Sequence, residues 1–327
     1  MSSLLLLTAS INMACIEQQL LHGDQSQTLA ELKQRCQSLT EQPLERQPVA
    51  VSAAQEIDRR RAAEKQIDNN RFGLSAYHNN YVLLASYNNN PNQATWEYGP
   101  EGIQPWEVKA QFSFKVPITP DWFGDDSGLY IAYTNQSWWQ AYNGKVSAPF
   151  RDTNHMPELV WIHKLNDYQF GDWQWDLLSL SLNHQSNGRS GEASRSWNRL
   201  IATSAFSYNR WVLGGRAWYR LPEDAKIDDG DPNTPPPAEG DDNPDITDFM
   251  GYGELFAIYN RDDHNFSLRT RGNLREHQGG LELGWSFPLT GKLRGHVQGY
   301  WGYGENLLDY NHRSERISFG VELTPLL

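Results

Sequence analysis

The chain has 327 residues, with 28 Lys and Arg against 40 Asp and Glu, a formal charge of −12. That balance argues against a nucleic-acid partner, because phosphate backbones are held through an excess of cationic side chains. No stretch approaches the roughly 18 consecutive apolar residues of a transmembrane helix, which excludes a helical membrane protein. A transmembrane barrel stays open, since its strands alternate lipid-facing and lumen-facing residues and average out polar. The 13 Trp and 15 Tyr in so polar a chain favour that option, as both rings settle at lipid–water interfaces.

Residues 4–14, LLLLTASINMA, read as the apolar core of a secretory signal, so 1–14 are expected to be a signal segment. Thr28 and Glu31 form a capping box opening a short helix over 28–37. In an exported chain, Cys15 and Cys36 are expected to form a disulfide; the alternative is a lipidated Cys15. From about residue 40 to 70 the chain is rich in Gln, Glu, Arg and Ala and reads as a linker or a short exposed helix. Its Arg59-Arg60-Arg61 triplet is expected to be a solvated face. Residues 15–70 are thus expected to be a partly helical extension in the periplasm, followed by a barrel over 71–327.

Beyond residue 70, period-two alternation replaces helical periodicity. Strands are expected near 77–87, 106–118, 127–141, 156–166, 172–187, 195–208, 210–221, 247–260, 264–272, 276–289, 292–304 and 313–323, an even set of about twelve. Each is near the length that crosses a bilayer when tilted. The alternation is plain in Val108, Ala110, Phe112, Phe114 and Val116, and again in Leu281, Leu283, Trp285, Phe287 and Leu289. In 293–301, Leu293, Val297 and Trp301 oppose Arg294, His296 and Gln298. Aromatics recur near strand ends, and the last segment (Ile317, Phe319, Val321, Leu323) is itself a strand able to close a cylinder. The fold class expected is all-β, an antiparallel transmembrane β-barrel. The acidic, Pro-rich stretch 222–246 suits an extracellular loop, and Trp138-Trp139 an interfacial anchor.

The stretch LNHQSNGRSGEASRSWNR (182–199) carries the candidate chemistry. Leu178, Leu180 and Leu182 share one face of a strand, and period two puts His184 and Ser186 on that same face. In the next strand Asn198 shares parity with Leu200, Ala202 and Phe206. If the apolar faces meet lipid, all three polar residues lie outside the barrel at the end of a hairpin. A histidine two residues from a serine can take its proton, an asparagine across the ladder can orient the ring, and the amides of the turn Ser186-Asn187-Gly188 can stabilise an oxyanion. By spacing alone, the same residues also read as an ordinary Asn-Gly turn flanked by polar side chains. The remaining histidines, His155, His163, His264, His277, His296 and His312 among them, lack metal-ligand spacing and are expected in loops or in the lumen.

The runs His184-Gln185-Ser186-Asn187-Gly188-Arg189-Ser190 and Ser194-Arg195-Ser196-Trp197-Asn198-Arg199 resemble the signature of the outer-membrane phospholipase A family. So do Trp139 to Asn143, Ser147 to Arg151, Asp242-Asn243-Pro244-Asp245-Ile246, Met250-Gly251-Tyr252, and Gly302 to Glu305 running into Asp309-Tyr310-Asn311. They are spread over about 77–323. The resemblance implies a twelve-stranded barrel that hydrolyses phospholipid and lysophospholipid acyl esters, depends on calcium and is activated as a homodimer in the outer membrane. It makes Ser186 the nucleophile, His184 the base and then acid, and Asn198 its orienting residue, with Gly188 at the oxyanion hole. The calcium ligands it implies are the Arg189 carbonyl, Ser194 and, from a second copy, Ser147, with Asp242 as a secondary ligand. Gly191-Glu192 departs from the pattern, where some relatives place an aspartate. Two other readings remain: a non-catalytic channel or adhesin, which would conduct or adhere without ester hydrolysis, and a soluble glycan-binding β protein, which would need no detergent.

Overall fold

The computed structural model describes residues 52–324, apart from 69, 71–72, 120–123, 125, 166–167, 228–239 and 292. The expected signal segment, the 28–37 helix and both cysteines lie outside the described residues.

Twelve long strands follow one another: β1 (Asn80–Asn88), β2 (Trp106–Thr119), β3 (Ser127–Trp139), β4 (Phe150–Lys164), β5 (Trp173–Ser186), β6 (Ser196–Tyr208), β7 (Trp211–Arg220), β8 (Gly253–Arg261), β9 (His264–Asn273), β10 (Gln278–Thr290), β11 (Leu293–Gly302) and β12 (Ser314–Thr324). Each pairs antiparallel with its neighbours in sequence, and β12 returns to β1 through pairs such as Phe319 with Ala85. The cylinder is closed, so every strand edge is paired. Most ends match the alternation, with two differences. β4 begins at Phe150: a register shift opposite Trp138 and Trp139 leaves Arg151, Asp152 and Asn154 buried toward the polar lumen, where no apolar alternation marks the strand. The expected strand at 247 starts at Gly253, since Ile246–Met250 instead forms a short helix, α2.

One end of the barrel has short turns. Asn209 between β6 and β7, and Asp262 between β8 and β9, take φ near +53°, a conformation their short polar side chains tolerate. The other end carries the long connections 89–105, 140–149, 187–195, 221–252 and 303–313. Outside, the alternating apolar residues are solvent-exposed in the isolated chain, Leu180, Leu182, Leu200 and Phe319 among them. Near the short turns the outer wall bears linked rings: Trp211 on Tyr259, Phe266 on Trp285, and Trp285 on Phe287, with centroids 4.6, 6.2 and 4.7 Å apart. This is the interfacial girdle expected of a membrane barrel. Trp138 and Trp139 divide between the faces, because consecutive strand residues cannot both point outward. Trp139 stacks on Phe150 outside. Trp138 is a correction to the anchor reading: it is fully buried in the lumen, beneath the Lys109 ammonium.

The lumen is packed rather than open. Toward the long loops Glu107, Lys109, Arg151, Glu305, Asp309 and Arg316 are all buried and mutually paired; Arg316 reaches both Glu305 and Glu107 at 2.8 Å. Beside them Trp197, Ile201 and Trp218 pack on Ile246 and Met250 of α2 and on Leu307 and Tyr310, forming an apolar floor under the β5–β6 hairpin.

Helix α1 (Ala53–Asp68) lies across the short-turn mouth. Its start is a capping box, in which the Gln55 amide donates to Ser52 Oγ at 3.2 Å and Ser52 N–H to Gln55 Oε1 at 3.0 Å. Ala53 and Ile57 pack on the inward residues Ala205, Val212 and Ile258. Ala53 N–H donates to the Asn209 carbonyl at 2.6 Å, and Tyr130 donates to Asp68 at 2.9 Å. A helix was one of the two sequence expectations here, but the arginine triplet is not a solvated face. Arg60 and Arg61 donate to the carbonyls of Ala76 and Asp176, and only Arg59 stays in solvent. Sequence reasoning missed this because a polar helix docked in a polar lumen has no apolar stripe to announce it.

Candidate active site

β5 and β6 set the geometry. Their ladder pairs Leu180 with Ala202, Leu182 with Leu200, His184 with Asn198 and Ser186 with Ser196. The inward positions Trp197, Arg199 and Ile201 are buried. His184, Ser186 and Asn198 therefore sit on the outer wall just beyond a band of exposed leucines, at the long-loop end. His184 Nδ1 and Asn198 Oδ1 are 2.9 Å apart. Among the described residues no hydrogen bond joins His184 to Ser186, whose Cβ atoms share one face two positions apart. In substrate-free active sites a proton-transfer contact is often long and tightens only when substrate is bound.

The turn after Ser186 is knitted by Asn187, a buried residue that the sequence reading treated only as a turn former. Its Oδ1 accepts from the amides of Arg189 at 3.3 Å and Arg195 at 3.0 Å, and its Nδ2 donates to the Ala193 carbonyl at 2.9 Å. Gly188 has φ of +65°, which a side chain would strain, so its amide is presented by a backbone that favours glycine. Arg189 anchors the loop sideways. Its guanidinium donates to Glu97 at 2.8 Å, to the Tyr98 hydroxyl at 2.9 Å and to the Arg151 carbonyl at 2.6 Å.

His155 corrects the expectation of a loop or lumen role, as does His163. Both are on outward positions of β4; His163 stacks on Trp161, and His155 lies opposite Ser186 in the ladder. His155 Nδ1 is 2.7 Å from the Tyr133 hydroxyl, and its ring edge would lie 3.7 Å from a β-carbon on Gly188. No spacing rule could have found it, because its neighbour is 31 residues away across a strand ladder.

Asp242 is delivered by the long 221–252 connection. Asn243, fully buried, accepts from the Ser196 amide at 3.0 Å and so docks the segment against the start of β6. Ser194 Oγ donates to Asp242 Oδ2 at 2.6 Å, and Lys226 forms an ion pair with Asp242 Oδ1. The expected metal ligands Ser194 and Asp242 are thus adjacent, with the Arg189 carbonyl in the same loop. Ser147 lies apart on the exposed 140–149 loop, with φ of +63°. Among the described residues no group of three or more His, Cys, Asp or Glu side chains converges as a metal cage. What is present is one carboxylate joined to a serine hydroxyl, oxygen donors of the kind suited to a hard cation. The Lys226 ammonium on Asp242 shows that a positive charge is already accommodated there.

Glu223 completes the cluster: its carboxylate accepts from Asn198 Nδ2 at 3.0 Å. Sequence reading passed it over among the many acids of 222–246.

Comparison with known proteins bears on the family and the fold. A sequence model of the family described as phospholipase A1 matches residues 57–323. The chain belongs to the phospholipase A1 family and is a phospholipase. Phospholipase A1 from Klebsiella pneumoniae is 40% identical over 220 residues, 67% of this chain and 71% of that one. The Escherichia coli K12 protein is 38% identical over 220 residues, with 67% and 70% covered. Among solved structures, outer membrane phospholipase A from Escherichia coli superposes with a TM-score of 0.70 at 35% identity, covering 78% of this chain and all of the other. An active-site mutant of that protein, with an asparagine changed to alanine, gives 0.71 at 35% identity over 79% and 95%. The Salmonella typhi outer membrane phospholipase, a dimer with bound calcium, gives 0.72 at 34% identity over 81% and 97%.

Proposed function

We propose that this family member is a calcium-dependent outer-membrane enzyme that cleaves acyl esters of phospholipids and lysophospholipids on its outer wall. The single observation carrying the reading is the pairing of His184 with Asn198, 2.9 Å apart, on the lipid-facing side of the hairpin that bears Ser186. A polar trio at the edge of a leucine surface is costly without a use. His184 takes the Ser186 proton as the hydroxyl attacks the acyl carbonyl, and Asn198 holds the ring. The Gly188 amide meets the oxyanion. His184 then returns its proton to the leaving glycerol oxygen, and water repeats the cycle on the acyl-enzyme. The long loops are assigned to the extracellular side, as in barrels of this kind.

Calcium would be held by the Arg189 carbonyl, Ser194, Asp242 and Ser147 of the partner subunit. When bound, it would add positive charge beside the developing oxyanion. The solved dimer with calcium supports both the ion and the second copy. A convex wall also offers no pocket, whereas two walls side by side would form clefts for acyl chains.

The test is release of fatty acid from a long-chain phospholipid in mixed micelles, for wild type and Ser186→Ala, in calcium and in chelator. Calcium-dependent release that falls by about a thousandfold or more in the variant is expected. Failure of the folded wild type to release fatty acid at any calcium concentration would overturn the reading.

A further inference from the structure

We propose that Glu223 is a positioning residue for this chemistry: its carboxylate locks the Asn198 amide in the one orientation that leaves His184 ready to act as a base. The inference rests on the function proposed above and adds to it a residue that contacts neither serine nor histidine.

An ionised carboxylate only accepts hydrogen bonds, so it must face the NH2 group of Asn198, as the 3.0 Å contact from Nδ2 to Glu223 Oε1 shows. That choice turns Asn198 Oδ1 toward His184, where it lies 2.9 Å from Nδ1. An amide oxygen there requires Nδ1 to carry the proton. The proton-free nitrogen is then Nε2, the one needed to accept from Ser186. Without Glu223, a 180° turn of the amide would put NH2 against the ring, favour a proton on Nε2 and leave no base. A charged partner behind the amide also polarises its oxygen and supports the imidazolium that forms in the transition state.

Glu223 is held on a fixed support. Leu221 N–H donates to the Asn198 carbonyl at 2.8 Å, which ties the exit of β7 to β6 beside the site. Arg220 bridges to Asp241 at 2.6 Å and donates to the Pro244 carbonyl at 3.1 Å. The Asp241 amide donates to the Asp224 carbonyl at 2.8 Å. Glu223 therefore stands between two residues pinned to the barrel.

The experiment is a mutant cycle on fatty-acid release in mixed micelles. Glu223→Ala is expected to lower kcat about tenfold and leave KM within about twofold. Glu223→Gln, which keeps an acceptor oxygen, is expected to recover most of that loss. Because Glu223 acts through Asn198, adding Glu223→Ala to Asn198→Ala should lower kcat no further than Asn198→Ala does. Heat-modifiable migration on gels verifies that each barrel is folded. The inference is overturned if Glu223→Ala keeps wild-type kcat, if Gln recovers nothing, or if the loss appears in full on the Asn198→Ala background. A wild type with no Ser186-dependent release would remove the parent reading itself, a result distinct from all three.

Discussion

Asp242 shows how one side chain can link two loop segments through a serine and a lysine. Its two oxygens are both engaged, one by Ser194 at 2.6 Å and the other by Lys226. Calcium entering here would have to displace an ammonium already attracted to the same carboxylate. Lys226→Met removes that competitor, so the calcium concentration that half-saturates the protein is expected to fall severalfold. The measurement is the rise of the unfolding temperature with calcium, which reports binding without turnover. An unchanged or weaker calcium response would mean that Lys226 and the ion do not compete. At this scale the sequence was informative where chemistry and parity coincide. His184, Ser186 and Asn198 could be put on one face by counting in twos, because strand geometry leaves no choice. Lys226, Glu223 and His155 could not, since each reaches the site through contacts between segments far apart in the chain.

Among the elements, α1 is the one whose place depends on charge. Glu64 lies within 3.1 Å of Lys115 and 3.7 Å of Lys164, both inward residues of the barrel. Burial alone would raise its carboxyl, but Lys115, Arg60 and Lys164 outweigh that and hold it below its ordinary 4.5. A carboxylate lowered on folding stabilises the docked helix above its ordinary value, and that contribution is lost as pH falls below it. Protection factors of the Ala53–Asp68 amides are therefore expected to fall in acid while the strands stay protected. Glu64→Ala should lower the same protection factors about tenfold or more at neutral pH, with Lys115 deprived of its carboxylate. Equal protection in variant and wild type would show that the apolar contacts of Ala53 and Ile57 suffice. The twelve strands, by contrast, were readable one by one, since each has to satisfy lipid on one side and the lumen on the other.

Considered whole, the barrel is sealed by its own ionic interior. Arg316 neutralises both Glu305 and Glu107 with almost no access to water. Burial would raise the Glu305 carboxyl, but Arg316 and Lys109 hold it down to about 2. The stability it contributes is present above its ordinary 4.5 and lost as pH falls toward 2. Breaking a buried network by removing one partner costs roughly 3–5 kcal/mol. Arg316→Met is expected to lower unfolding stability by about that amount in urea titrations of the detergent-solubilised protein; a loss below about 1 kcal/mol would contradict the network's role. The wild type in planar bilayers is expected to show no conductance steps, and steady conductance would revive the channel reading.

The sequence by itself determined the barrel, its strand number and the outer face that carries His184, Ser186 and Asn198, because a repeat of two is a local property that a bilayer makes decisive. Tertiary structure alone decided that α1 closes the mouth, that Trp138 turns inward beneath Lys109, and that Glu223 and Lys226 stand beside the site. Those placements depend on which distant strands and loops meet, and charged pairs buried in a lumen leave no periodicity in the chain to mark them.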